Sequence, residues 1–280
     1  MKQVKIKNLG TIFVFISAVL FSMGGLFVKL VPWQPLSING ARSIYAAIII
    51  FTYIKLTKHK IVFNKYVALG AVATASTSIL YIIAIKLTTA ANAILLQYTM
   101  PIFIIVYMWI FMKVRPKRVE LISCIFILIG MVFFFGSGLS GKGMLGNICA
   151  VLSGAFLSII YMANVMPNSD SMSSAFFGHV LGVVISAPFI LFETDFSGTV
   201  LLNVSILGIF QLGLAYVFLV KGLKTTPPVK ASLVSTIEPI LNPILVAVFY
   251  GEYLSSTSLI GAVIVVATIT IYNITSGKNR

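Results

Sequence analysis

KLTTAANAILLQYTMPI (residues 86–102) lies over KTTPPVKASLVSTIEPI (224–240) at an offset of 138. Lys86 meets Lys224, Thr88 meets Thr226, Ala93 meets Ala231, Leu95 meets Leu233, Pro101 meets Pro239 and Ile102 meets Ile240. Farther along, Phe111 meets Phe249, Leu121 meets Leu259 and Ile122 meets Ile260. At an offset of 136, Gly10, Ile12, Ser17 and Ser22 meet Gly146, Ile148, Ser153 and Ser158. The chain is therefore read as two copies of one unit, residues 1–140 and 141–280, forming one structural body.

Working outward from these copies, the solvent must be lipid. Of the 280 residues, 59% are hydrophobic and 9% charged, against roughly 45–50% and about 25% in soluble domains. A membrane-spanning helix takes about 20 apolar residues. Apolar runs fall at 9–30, 37–55, 66–86, 91–113, 119–136, 144–164, 173–192, 201–221, 229–250 and 256–273. They are continuous rather than alternating, which excludes strands. The predicted fold is an all-α integral membrane protein of ten transmembrane helices in two five-helix repeats. An odd number of spans per repeat turns the second copy upside down, a device by which transporters expose one central site to either side in turn.

Orientation follows the positive-inside rule. A cytoplasmic N-terminus places sixteen of the twenty Lys and Arg inside and leaves Lys29, Arg42, Lys86 and Lys142 outside. Both termini are then cytoplasmic and the chain sits in the inner (plasma) membrane. The N-terminal MKQVKIKNLGTIFVFISAVLF has a basic head and an apolar run but no small-x-small cleavage site, so it reads as an uncleaved first helix. The net charge of +14 lies between the apolar runs, which favours the membrane over nucleic acid as its partner. Cys124 and Cys149 fall within apolar runs and read as packing residues.

Proline within a helix frees the carbonyl four residues back. Pro101 is expected to free that of Gln97, Pro239 that of Ser235, and Pro243 that of Pro239. Gln97 and Ser235 are repeat equivalents, so two broken helices would present acceptors at matched depth. A plain packing kink is the alternative. Ser235, Glu238 and Asn242 share one face of span nine, and Tyr98 follows Gln97. A mid-membrane carboxylate costs roughly 2.5–3.5 kcal/mol and is by default functional; a fold-stabilising Glu238 is the other reading. Thr74, Ser78 and Tyr81 share a face of span three, and Ser158 and Tyr161 a face of span six. Each could be helix glue, but together they outline a mildly polar cavity. Gln211 and Tyr216, in span eight, do not share a helical face. Arg42 reads as a snorkelling residue near the outer end of span two, with an acidic-ligand anchor as the alternative. His179 reads as a neutral, hydrogen-bonded imidazole rather than a proton relay.

These features resemble the EamA-type branch of the drug/metabolite transporter superfamily: two five-helix repeats, a proline inside spans four and nine, and PILNPILVAVFYGEYLSSTSLIGAVIVVA (239–267) with Pro239, Gly251, Glu252 and Gly261. Arg42 also sits where that family's first repeat often has an Arg. The first repeat carries Lys113 and Val114 where the second has Gly251 and Glu252. The resemblance implies secondary transport, often export, of amino acids or related metabolites. The sequence has no nucleotide-binding glycine loop, no metal-ligand cluster, no expected cofactor and no second intramembrane carboxylate beside Glu238. The expected protein is therefore not an enzyme; its partners are a small-molecule substrate and lipid, with proton coupling possible through Glu238. A membrane-embedded lipid enzyme or scramblase is the competing class.

Overall fold

The computed structural model describes residues 2–88, 90–135, 143–250 and 255–278. The 140/141 repeat boundary, Lys142, Gly251, Glu252 and Arg280 lie outside them, as do the side chains of Lys2, Lys5, Lys7, Lys29, Pro243 and Lys278. The first half contains α1 (Lys2–Phe21), α2 (Gly24–Leu30), α3 (Pro35–Leu56), α4 (Lys65–Leu87), α5 (Ala90–Gln97), α6 (Met100–Met112) and α7 (Arg118–Phe135). The second contains α8 (Met144–Met162), α9 (Ser171–Ser186), α10 (Gly198–Ile206), α11 (Ala215–Leu223), α12 (Pro228–Ser235), α13 (Ile237–Tyr250) and α14 (Ser256–Lys278). Leu207–Leu214 joins α10 to α11 as a π-helix, and Ala187–Phe192 extends α9 as a 3₁₀ turn. No strand occurs among the described residues.

Eight stretches among the described residues are long and apolar enough to cross a membrane: Leu9–Val28, Pro35–Leu56, Lys65–Leu87, Asn92–Met112, Met144–Val165, Ser171–Phe192, Gly198–Leu223 and Ser256–Thr275. The other two expected spans fall on α7, which opens with the charged Arg118 and Glu120, and on the interrupted pair α12–α13. Neither is among the eight. Ile48, Trp109, Ile125, Val184 and Val263 are each more than half exposed. An aqueous surface would not tolerate that much bare hydrocarbon; a lipid one requires it.

Local chemistry sets the helix ends. Asn64 Oδ1 accepts from the Tyr66 and Val67 amides, both at 3.0 Å, and so caps α4. Asp170 Oδ1 accepts from the Ser173 amide at 2.7 Å and caps α9. Lys113, at φ 58°, ends α6 in the left-handed conformation.

Contacts fix the relative directions of the helices. The start of α3 meets the end of α9, where Asn39 Nδ2 donates to Ser186 Oγ at 3.0 Å, so these two run antiparallel. Gly10, at the start of the apolar stretch Leu9–Val28, abuts Gly222 near the end of α11 and Thr226 just past it; Gly146, near the start of α8, abuts Leu87 and Thr88 at the end of α4. The sequence alignment of the two halves pairs Gly10 with Gly146 and Thr88 with Thr226. Small residues at such crossings let backbones approach closely. The remaining packing follows the same exchange of halves. α4 packs on α8 and α9 as α11 and the π segment pack on α1 and α3, and α7 packs on α14.

Two polar clasps tie the loops at opposite ends of α3. At its start, the Trp33 indole donates to the Asp195 carbonyl at 2.7 Å and the Gln34 amide donates to Glu193 Oε1 at 2.9 Å. Past its end, His59 Nε2 lies 3.0 and 3.1 Å from the two Asp170 carboxylate oxygens, and the Val62 amide donates to Ser173 Oγ at 3.0 Å. Partial burial alone would raise the Asp170 carboxyl, but hydrogen bonds from Ser173 and His59 hold it below its ordinary range.

Candidate functional site

Both predicted breaks occur. α5 stops at Gln97 and α6 restarts at Met100, with Pro101 in its first turn; α12 stops at Ser235 and α13 restarts at Ile237, with Pro239 in its first turn. Pro243 is different. α13 runs on through it to Tyr250, so it ends no helix. A break near Ser22 and Met23, between α1 and α2, was not foreseen. There the Asn242 side-chain amide donates to the Ser22 carbonyl at 2.7 Å, giving a backbone group at the interruption the partner that lipid cannot supply.

A small cavity of about 50 Å³ lies among these elements. The first half supplies Phe21, Arg42, Thr77, Ser78, Tyr81 and Gln97, and the second Leu157, Tyr161, Gln211, Leu212, Tyr216 and Glu238. Of the ten residues that the sequence placed at the breaks or on shared polar faces, five line it directly: Ser78, Tyr81, Gln97, Tyr161 and Glu238. Two stand one hydrogen bond behind. The Tyr98 hydroxyl donates to Glu238 Oε2, and the Tyr161 hydroxyl donates to Ser235 Oγ at 2.6 Å. Gln97 is fixed by its side-chain amide, which donates to Ser153 Oγ at 2.7 Å, and Ser153 in turn donates to the Thr77 carbonyl at 3.1 Å.

Three residues are not brought to the cavity. The Thr74 hydroxyl donates to the Gly70 carbonyl at 2.9 Å, and the side chain packs at Gly178 of α9. The Ser158 hydroxyl donates to the Ala155 carbonyl at 2.6 Å. Asn242 is occupied at Ser22. All three satisfy backbone groups or fill helix crossings, the structural use of small polar residues in membranes.

Arg42 corrects the sequence reading. It does not snorkel: it is 2% exposed and lines the cavity. Its Nη2 donates to Ser78 Oγ at 2.7 Å and its Nη1 to Gln211 Oε1 at 3.3 Å. It stands seven residues into α3, about 10 Å from the helix start at 1.5 Å per residue, and its head is held by α4 and the π segment. Gln211 and Tyr216 line the cavity as well. Sequence spacing set them on different faces of an ideal α-helix, but the wider π turns of Leu207–Leu214 shift the register by about a residue. His179 is buried beside Tyr216, ring edge to face at 4.7 Å, and its Nε2 has no hydrogen-bond partner.

The sequence model of the EamA-like transporter family matches the chain twice, over residues 8–136 and 142–274. The chain belongs to the EamA-like transporter family. Relatives of this EamA-like chain carry transporter names. It is 28% identical to an "uncharacterized transporter" of Clostridium kluyveri, over 96% of this chain and 94% of that protein. It is 23% identical to human solute carrier family 35 member G1, over 95% of this chain and 79% of that protein. A solved crystal structure matches with a TM-score of 0.78 at 17% identity, covering 94% of this chain and 98% of that one; at that identity it bears on the fold alone. These names point to a multi-pass membrane transporter rather than an enzyme. In such a protein the cavity offers hydrogen-bonding groups, one guanidinium and one carboxylate, walled by aromatic and aliphatic side chains.

Proposed function

We propose that this EamA-like protein is a secondary transporter that exports small amphipathic solutes, amino acids or related molecules, by alternating access. The observation that carries this reading is the position of the cavity. It lies between the two broken helices, α5–α6 and α12–α13, and takes its walls from both halves. Broken helices at a repeat interface are where secondary transporters place substrate. Ser78, Tyr81, Gln97, Tyr161 and Glu238 touch the solute, while Tyr98 and Ser235 orient Glu238 and Tyr161. Proton coupling, where it operates, runs through Glu238.

The chain crosses the membrane ten times, as two inverted five-helix units. Support comes from the double family match, the antiparallel course of α3 and α9, and the equivalent Gly10 and Gly146 crossings. The membrane is the inner (plasma) membrane and both termini are cytoplasmic, the orientation that keeps most Lys and Arg inside. With Arg42 in the cavity, only Lys29, Lys86 and Lys142 remain on the outward side of that division. Reporter fusions to the two ends are expected to read cytoplasmic at both; an external C-terminus means an odd span count and ends the inverted-repeat reading.

The carrier mechanism is tested by counterflow in liposomes. A labelled amine-bearing solute outside is expected to accumulate transiently when unlabelled solute is trapped inside. Flux that never overshoots equilibrium points to a channel, and lipid flipping without solute exchange points to a scramblase.

A further inference from the structure

Arg42 presents a charge that the cationic end of a solute cannot use. A guanidinium carries five N–H donors and no acceptor. In this cavity it meets only neutral oxygens: Ser78 Oγ at 2.7 Å and Gln211 Oε1 at 3.3 Å. Its Nε has no partner. The contact to Gln211 is long for a charged donor, whose bonds to oxygen usually span about 2.7–2.9 Å. No ion pair joins Arg42 to Glu238, whose carboxylate accepts from the Tyr98 hydroxyl instead.

The guanidinium is nevertheless held in place. The Ser78 hydroxyl donates to Asn39 Oδ1 at 2.6 Å, and the Asn39 amide donates to Ser186 Oγ at 3.0 Å. With its proton committed to Asn39, Ser78 turns a lone pair to Arg42. Gln211 reaches Arg42 from the π segment on the other side, where Gly24 leaves room for its amide. A charge buried among neutral groups is unfavourable unless a counter-charge completes it. A planar fork with donors left over, on a residue that lines the cavity, matches a carboxylate or similar oxyanion.

We infer that Arg42 is the anion-binding residue of the cavity, so that the solute is a zwitterion with its carboxylate, or a comparable oxyanion, on Arg42 and its cationic head on Glu238. This rests on the carrier reading of the same cavity. Arg42 comes from α3 and Glu238 from α13, one from each half. A solute that bridges them gives each buried charge a direct partner without adding net charge to the membrane interior. A simple amine leaves Arg42 uncompensated, and a simple carboxylate leaves Glu238 so.

The test uses the purified full-length chain and thermal stabilisation by a matched panel: the common L-amino acids, their C-terminal amides, and the amines that lack the carboxylate. A ligand of the native state raises the melting temperature by mass action. At least one amino acid is expected to bind, with its amide weaker by about 30-fold or more, the usual size of the effect when one partner of a buried charge pair is removed. In Arg42→Gln the amino acid and its amide are expected to bind within about threefold of each other. Arg42→Lys keeps the charge and loses the fork, so it should retain the preference for acid over amide in weakened form. That separates recognition from a merely structural arginine, whose loss lowers the ligand-free melting temperature and leaves the preference untouched. Amides or amines that bind as well as amino acids, a preference that survives in Arg42→Gln, or no amino acid binding at all each overturn the proposal. Counterflow of a simple amine under those outcomes leaves the carrier reading standing. Arg42-dependent binding without counterflow keeps the anion site and removes the carrier.

Discussion

Glu238→Gln is expected to lower counterflow of an amine-bearing solute by at least about tenfold, the loss of a single charge-assisted contact, with the melting temperature nearly unchanged. The substitution keeps the shape, and the amide oxygen can still accept from the Tyr98 hydroxyl, which donates to Glu238 Oε2 in the native protein. What it removes is the negative charge facing the cavity. If Glu238 only held α13 in place, the opposite pattern would appear: a lower melting temperature with normal transport per folded molecule. Measuring both quantities on the same preparations therefore separates the roles. Where a proton is exchanged through Glu238, the Gln variant also transports with a flat pH response. Tyr98→Phe removes the donor and spares the charge, so its effect on transport should be smaller and in the same direction. Normal transport with a normal pH response in Glu238→Gln would remove this residue from the mechanism.

The sequence made the helices legible because lipid imposes a coarse and continuous signal. Among the described residues every apolar run became helix, with most ends displaced by about three residues or fewer, as at 66–86 against Lys65–Leu87. The breaks at Gln97 and Ser235 were legible for a different reason: proline removes a backbone donor wherever it sits. The break at Ser22 and Met23 was not, since it contains no proline and Gly24 and Gly25 leave the hydropathy of the run intact. The π segment hid Gln211 and Tyr216 in the same way, because periodicity arguments assume 3.6 residues per turn throughout. Thr74 and Ser158 show the converse limit. A shared helical face gives a direction but not the neighbour that fills it, and α9 packs Gly178 against the face that carries Thr74. Arg42 was placed by its distance from a span end, whereas its position among Ser78, Asn39 and Gln211 depends on three helices that sequence spacing does not relate.

Gly154→Ala is expected to destabilise the protein by about 1–3 kcal/mol, the usual range for overpacking, and to reduce transport per folded molecule as well. Elsewhere in a helix the same change gains roughly 0.4–1 kcal/mol where the backbone tolerates it. At Gly154 it does not. A Cβ there would stand 2.4 Å from the Gln97 carbonyl oxygen and 3.1 Å from its carbon, backbone atoms that cannot swing aside as a flexible side chain can. That carbonyl lies at the break between α5 and α6, so relief of the clash must push α8 and the broken turn apart. Ser153 moves with its neighbour, and its Oγ holds the Gln97 side chain at 2.7 Å. Tyr98 is the next residue and its hydroxyl meets Glu238. A shift that starts as one methyl group on α8 is thus delivered to three side chains in or beside the cavity. The control is Gly198→Ala at the start of α10, where a Cβ meets nothing within 4 Å and a change within about 0.5 kcal/mol is expected. Melting temperatures should be taken at one scan rate, since membrane proteins commonly unfold irreversibly and the midpoint is then a rate property. Equal melting temperatures for the two variants would mean that the α5–α6 break yields freely, and the rigid placement of Gln97 and Tyr98 around the cavity would fall with that result.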